Sequence, residues 1–437
     1  VPIASDTPPA DDNQQGSLLR FAAIAAVGGI VTGLLGGTFR MALAEASVWW
    51  LRFLQWAREM GDWRLVLPVI GAAVAVGIAR LIVRWSPEAA GSGVQRVEAM
   101  VRHEDHPSPL RVIPAKFVGG TLSIGVGMAL GREGPTVQMG AAVGGELARR
   151  TSLDDHDGRT LRAALAGAGL GVAFSAPLGG AMFVLEELER AVRTRLLVAV
   201  LIASSVALAV AYPLVGRHPV LPVPPQAAAP TWQLPLFVLL GLVAGVMGVY
   251  YSRLIIWNLD QFERLRRVPA EVKAAVIGAV VGLLGVVAPW LIGGGEILAD
   301  RVLVLTYPLG ALVVVLVVRW FLGPLAYSAG TPGGLFAPML VLGATVGALF
   351  ASVANLVLPE ALPVTAFAIA GMAAFFTAVV RSPVTGILLC VEMTATTSLL
   401  VPMLAAAGTT LVVCAMLRST PIYDVLRLRM EGRSVRV

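Results

Sequence analysis

The chain is short of charge. Only 14% of its 437 residues are Asp, Glu, Lys or Arg, against about 25% in a typical soluble domain. Meanwhile 57% are hydrophobic and the mean hydropathy is +0.80. That balance excludes an ordinary water-soluble protein. Cysteine is nearly absent as well: Cys390 and Cys414 both lie in apolar segments, which excludes a disulfide framework and reads as packing. The four histidines, His103, His106, His156 and His218, all fall in polar connections between apolar runs. A membrane-embedded hydrolase needs a Ser/His dyad, paired aspartates or a metal motif inside its spans, and no histidine occurs there. The net charge of +6 does not point to nucleic acid, because the arginines gather at the ends of apolar runs. The opening VPIASDTPPADDNQQGS has none of the pattern of a signal peptide and reads as a polar tail over 1–16.

Long apolar stretches fill the rest: 21–50, 64–84, 111–130, 160–185, 195–215, 232–250, 272–293, 302–328, 335–358, 364–380 and 384–418. One crossing needs roughly 20 apolar residues. Some of these fit; others are too short or are interrupted by glycine. The expectation is an all-α polytopic membrane protein with many short, tilted or broken helices. Its 47 glycines and 28 prolines agree, since broken helices survive in a bilayer only where protein or a water-filled cavity covers the exposed backbone. Arg427, Arg429, Arg433 and Arg436 near the end place the C-terminus in the cytoplasm under the positive-inside rule.

The chain also repeats itself. GREGPTVQMGAAVG (131–144) and GLFAPMLVLGATVG (334–347) share the frame G-x-x-x-P-x-x-x-x-G-A-x-V-G. SAPLGGAMFVLEE (175–187) likewise matches RSPVTGILLCVEM (381–393), pairing Glu186 with Glu392. The separations are 203 and 206 positions. This divides the chain into a first membrane repeat (17–215), a proline-rich connection (216–231), a second repeat (232–420) and a C-terminal segment (421–437). The site of a duplicated transporter lies where broken helices of both halves meet. The pattern leaves open whether the halves are parallel or inverted.

Each repeated G-x-x-x-P element ends one apolar run and opens another. Proline is well tolerated in a first helical turn, so such a loop presents free amides at the positive end of a helix dipole, which is an anion site. GSG at 91–93 is a third loop of this kind. Amides and hydroxyls suit an anion in transit better than a full Lys or Arg contact. Ser92 and Tyr423 can supply hydroxyls, although a loop serine or a tyrosine after proline is also commonplace in a purely structural role. Arg132 and Glu133 stand inside this apolar setting, where charge costs at least ~2.5–3.5 kcal/mol and usually has a function.

Taken together, GSGVQRVE (91–98), GREGPTVQMG (131–140), SAPLGGAMFVLEE (175–187), GGLFAPM (333–339) and PIYDVL (421–426) resemble, in order and spacing, the CLC family of chloride channels and chloride/proton antiporters. The resemblance covers residues 17–430 and implies a CLC-type fold of two inverted-topology repeats. It further implies a multi-pass homodimer with one pore per subunit, chloride and protons as the transported species, and no cofactor. The compact length and the Ala/Val/Arg-rich composition suggest a prokaryotic inner-membrane protein without the nucleotide-binding pair of larger relatives.

By position, the resemblance makes Ser92 and Tyr423 hydroxyl donors to a central chloride, completed by the amides of Leu335 and Phe336. The amides around Arg132, Glu133 and Gly134 form the site nearer the outside. Glu133 becomes an external gate and proton carrier, because an ionised carboxylate can occupy a chloride's place among those amides and leave it when protonated. A static Arg132–Glu133 pair is the competing reading. Glu187 matches the intracellular proton-transfer acid of coupled members, where channels commonly carry a non-acidic residue; spacing alone also allows a solvated acid beside Glu189 and Arg190. Glu186 reads as structural. Val94 and Gln95 depart from the usual GSGIP, while the retained serine favours chloride over nitrate. The expectation is a chloride/proton antiporter, with a passive chloride channel as the alternative.

Overall fold

The computed structural model describes residues 12–102, 105–106, 109–304 and 307–432. The first half runs α1 (Asp12–Met60), α2 (Val66–Trp85), α3 (Val94–Val101), α4 (Val112–Gly125), α5 (Glu133–Arg150), α6 (Asp155–Phe174), α7 (Pro177–Phe183) and α8 (Thr194–Val215). The second half repeats that order of long and short: α9 (Leu234–Arg264), α10 (Ala270–Val287), α11 (Glu296–Val304), α12 (Leu309–Ser328), α13 (Phe336–Ala354), α14 (Val364–Val380), α15 (Pro383–Thr394) and α16 (Leu400–Met416). The short α17 (Ile422–Met430) follows. Among the described residues seven helices are long and apolar enough to cross a membrane, and there is no strand.

Two apolar stretches prove to be pairs of helices. The run 160–185 breaks at Ser175, which has φ +52° and ends α6, and Pro177 then starts α7. The run 384–418 breaks at Ala395, with the same φ, between α15 and α16. Helix α1 begins at Asp12, inside the stretch read as a tail, and His156 stands in the first turn of α6. Residues 1–11 of that tail, His103, Arg433 and Arg436 lie outside the described residues.

Packing repeats with the helices. Helix α5 lies on α6 as α13 lies on α14, and α1 on α8 as α9 on α16. Small residues let these backbones touch, the usual device where lipid supplies no hydrophobic drive between helices. A Cβ on Gly343 would come within 2.5 Å of the Gly371 carbonyl, and its repeat mate Gly140 abuts the Leu165 carbonyl in the same way.

The halves are inverted, and two contacts demonstrate it. Past Phe183 the chain makes a π turn, Val184–Leu188, that carries Glu186 to the start of α15, where its carboxylate accepts from Val384 N (3.1 Å) and Thr385 N (2.8 Å). Glu392, near the end of α15, reaches the start of α7 and accepts from Leu178 N (3.1 Å) and Gly179 N (2.7 Å). Each helix ends beside the other's beginning, so α7 and α15 are antiparallel. Moreover, the equivalent glycines Gly131 and Gly334 form an antiparallel bridge, with Gly131 N–Gly334 O at 2.9 Å and Gly334 N–Gly131 O at 2.7 Å.

Ion pairs sort the helix ends onto two faces. Arg429 of α17 bonds Asp260 at the end of α9, Arg190 bonds Asp424 of α17, and Arg84 at the end of α2 pairs with Glu271 at the start of α10. All of these ends share the α17 face. Helix α10 starts there and ends on the opposite face, which therefore carries the loop before α11.

Candidate anion and proton site

The first turn of α13 holds a carboxylate. Glu133 is fully buried, and its Oε1 accepts from Phe336 N at 2.6 Å and Ala337 N at 3.3 Å. Both N–H groups are orphans of the helix start, which have no intrahelical acceptor and point along the positive end of the dipole. Oε2 has no hydrogen-bond partner. Glycine leaves room for this carboxylate: a Cβ on Gly334 would stand 2.5 Å from Oε1, and one on Gly131 would collide with the carboxyl group unless it moved. Leu335 N makes neither contact; the amides engaged are those of the next two residues.

Arg132 does not pair with Glu133. Its Nε donates to Ala173 O (2.9 Å) and its Nη2 lies 3.0 Å from Glu296 Oε1. The static Arg132–Glu133 pair is thus excluded. Gly134 packs on the GSG loop, where its Cβ would meet Ser92 Oγ at 2.5 Å. Ser92 and Tyr423 are fully buried and close to each other, yet neither hydroxyl makes a hydrogen bond of ordinary geometry. Two buried unspent hydroxyls beside a carboxylate-binding helix start are what an anion site requires. The Tyr423 ring lies against Phe336 with centroids 5.6 Å apart.

Glu187 is 1% exposed, which overturns the solvated-acid reading. The π turn swings it inward, and Ser382 Oγ donates to its Oε2 at 2.8 Å, while Oε1 is unpartnered. Such π turns recur at functional sites. An aromatic partition stands between the two acids: Phe183, just before the π turn, meets Phe336 edge-on at 5.6 Å, and Phe336 supplies the amide that holds Glu133.

Sequence reasoning missed Lys116. It is fully buried in α4, and its Nζ donates to Gly91 O (2.7 Å) and Ser92 O (3.0 Å), fixing the loop that presents Ser92. One of only two lysines in the chain, it was visible as a charge inside the apolar run 111–130. In the first turn of α3, Gln95 is buried, and its Oε1 has no hydrogen-bond partner among the described residues.

This arrangement can be set beside known proteins. The family model described as "Voltage gated chloride channel" matches residues 71–415. The H(+)/Cl(-) exchange transporter ClcA of Vibrio campbellii is 37% identical over 417 residues, covering 92% of this chain and 88% of the relative. The protein of the same name from Citrobacter koseri is 34% identical, covering 93% and 87%. Among solved structures, a slow cyanobacterial Cl-/H+ antiporter superposes with TM-score 0.89 at 30% identity, over 95% of this chain and 99% of the other. A CLC-type fluoride/proton antiporter shares the fold, with TM-score 0.75 at 21% identity over 95% and 99%.

Proposed function

The chain belongs to the voltage-gated chloride channel family, and from that membership we propose that it is a transporter exchanging chloride for protons across a membrane. One observation carries the reading: the Glu133 carboxylate sits on the amides that open α13. These are groups that bind an anion without regard to whether it is tethered. Ionised, Glu133 fills the seat; protonated, it loses most of that attraction, swings away and admits chloride. Proton and chloride therefore take turns at one place. Ser92 and Tyr423 offer their hydroxyls on one side of it, and the backbone from Arg132 to Gly134 borders the other. Glu187 receives protons from the α17 face. Its burial and single hydroxyl donor suit an acid that changes charge more than one fixed in a salt bridge.

That face is the cytoplasmic one in this reading. Arg149, Arg150, Arg264, Arg266, Arg267, Arg427 and Arg429 lie at helix ends and loops there, an asymmetry that supports a C-terminus inside the cell. The resemblance to the CLC family supports a homodimer with one pore per subunit. The bacterial relatives support a place in the inner membrane.

The test is the reversal potential of purified protein in liposomes under separate chloride and proton gradients. Exchange moves it with both gradients; a value indifferent to the proton gradient identifies a passive channel and ends the proposal.

A further inference from the structure

Arg319 lies 203 positions after Lys116, the same offset that relates Gly131 to Gly334. It does the same work on the opposite face. Fully buried in α12, it donates from Nη1 to Gly293 O (2.6 Å) and from Nη2 to Gly294 O (3.1 Å), clamping the loop before α11 as Lys116 clamps the loop before α3. The loop 293–295 is thus the outer counterpart of the GSG loop. At its end stands an acid, Glu296, whose Oε1 lies 3.0 Å from Arg132 Nη2. That Nη2 is buried and, beyond this ion pair, makes no hydrogen bond of ordinary geometry.

Positive charge exceeds negative around this point. Arg40 donates only to Val172 O and Ser175 Oγ, both at 2.8 Å, and Arg319 only to carbonyls; neither makes an ion pair among the described residues. Glu296 is the acid that Arg40 and Arg132 share electrostatically, and its side chain is 28% exposed. Glu296 and Ala337, whose N holds Glu133, also line one small crevice together with the apolar side chains of Phe174, Leu221 and Met393. Clustered charge of one sign in a low-dielectric mouth raises the local concentration of counter-ions.

We propose that Arg132 and Arg40, with Glu296 as a tethered counter-ion, form an outer anion-recruiting site. An arriving halide displaces the Glu296 carboxylate from Arg132 before moving on to the seat that Glu133 occupies. The inference rests on the exchange reading for the identity of the anion, and it adds a second carboxylate that competes with it.

The test is radiolabelled chloride uptake by cells expressing the full chain, measured into right-side-out spheroplasts and into inverted vesicles. Glu296→Gln keeps the shape and removes the tethered charge. The half-saturating chloride concentration should then fall roughly two- to fivefold at the outer face, the range of a partly exposed ion pair, with the inner value and the exchange ratio unchanged. Glu296→Asn repeats the measurement with a second neutral residue. Unchanged outer half-saturation in both variants overturns the proposal, and so does an equal shift at both faces. A wild-type protein that carries chloride without protons defeats the exchange reading instead, and the outer half-saturation still decides the recruiting site.

Discussion

Glu392 of α15 caps α7, and Glu186, in the π turn that follows α7, caps α15, so α7 and α15 are locked head to tail by two carboxylates on four amides. Removing a helix cap costs about 0.5–2 kcal/mol. Glu186→Ala and Glu392→Ala should each lower stability by about that amount in detergent unfolding. Because both grip one helix pair, the double variant should lose less than the sum. Strict additivity would mean that the two caps act independently.

Glu133→Ala empties the α13 cradle of its tethered carboxylate. Chloride permeation should persist while proton coupling disappears, read as a reversal potential that follows chloride alone. Retained coupling would mean that protons cross by a route without Glu133.

Glu187→Gln keeps the hydrogen bond to Ser382 within reach but cannot change charge. Proton movement should stop and chloride flux continue. Unchanged proton pumping removes Glu187 from the path.

Gly334→Ala probes the seat while leaving both acids in place in the sequence. Its methyl would lie 2.5 Å from Glu133 Oε1, well inside contact distance, and should push the carboxylate off the amides. The expected outcome is more chloride per proton than in wild type, seen by recording both fluxes on one preparation. A wild-type ratio would show that the carboxylate can hold its place beside the methyl.

Lys116→Met strips the Ser92 carbonyl of its lysine donor and leaves Gly91 O with Gly333 N alone, and burying an unpaired acceptor costs about 1–3 kcal/mol. Chloride affinity, measured calorimetrically on purified protein, should weaken roughly tenfold or more if that cost falls on the bound loop. Unaltered affinity would show that the loop keeps its shape without the lysine.

Much of this was written in the sequence at fixed offsets. The repeat paired Glu186 with Glu392 and marked them as structural, and the G-x-x-x-P frame located both helix starts at the site. Apolar patterning could not separate α6 from α7 or α15 from α16, because a bilayer makes both sides of such a break equally hydrophobic. Nor could it bury Glu187: its hydroxyl partner, Ser382, lies 195 positions away and meets it only once the halves are folded together. Lys116 and Arg319 were legible in principle, as charges inside the runs 111–130 and 302–328. Their meaning came only with the carbonyls they hold.

The bridge between Gly131 and Gly334 ties the midpoints of the two halves by backbone alone, directly under the carboxylate of Glu133. Any cycle in which one half tilts against the other must first tear this seam and prise apart the crossed caps that join α7 to α15. Turning a single side chain about its own bonds disturbs none of them. In the proposed exchange the scaffold can therefore stand still while Glu133 alone does the travelling.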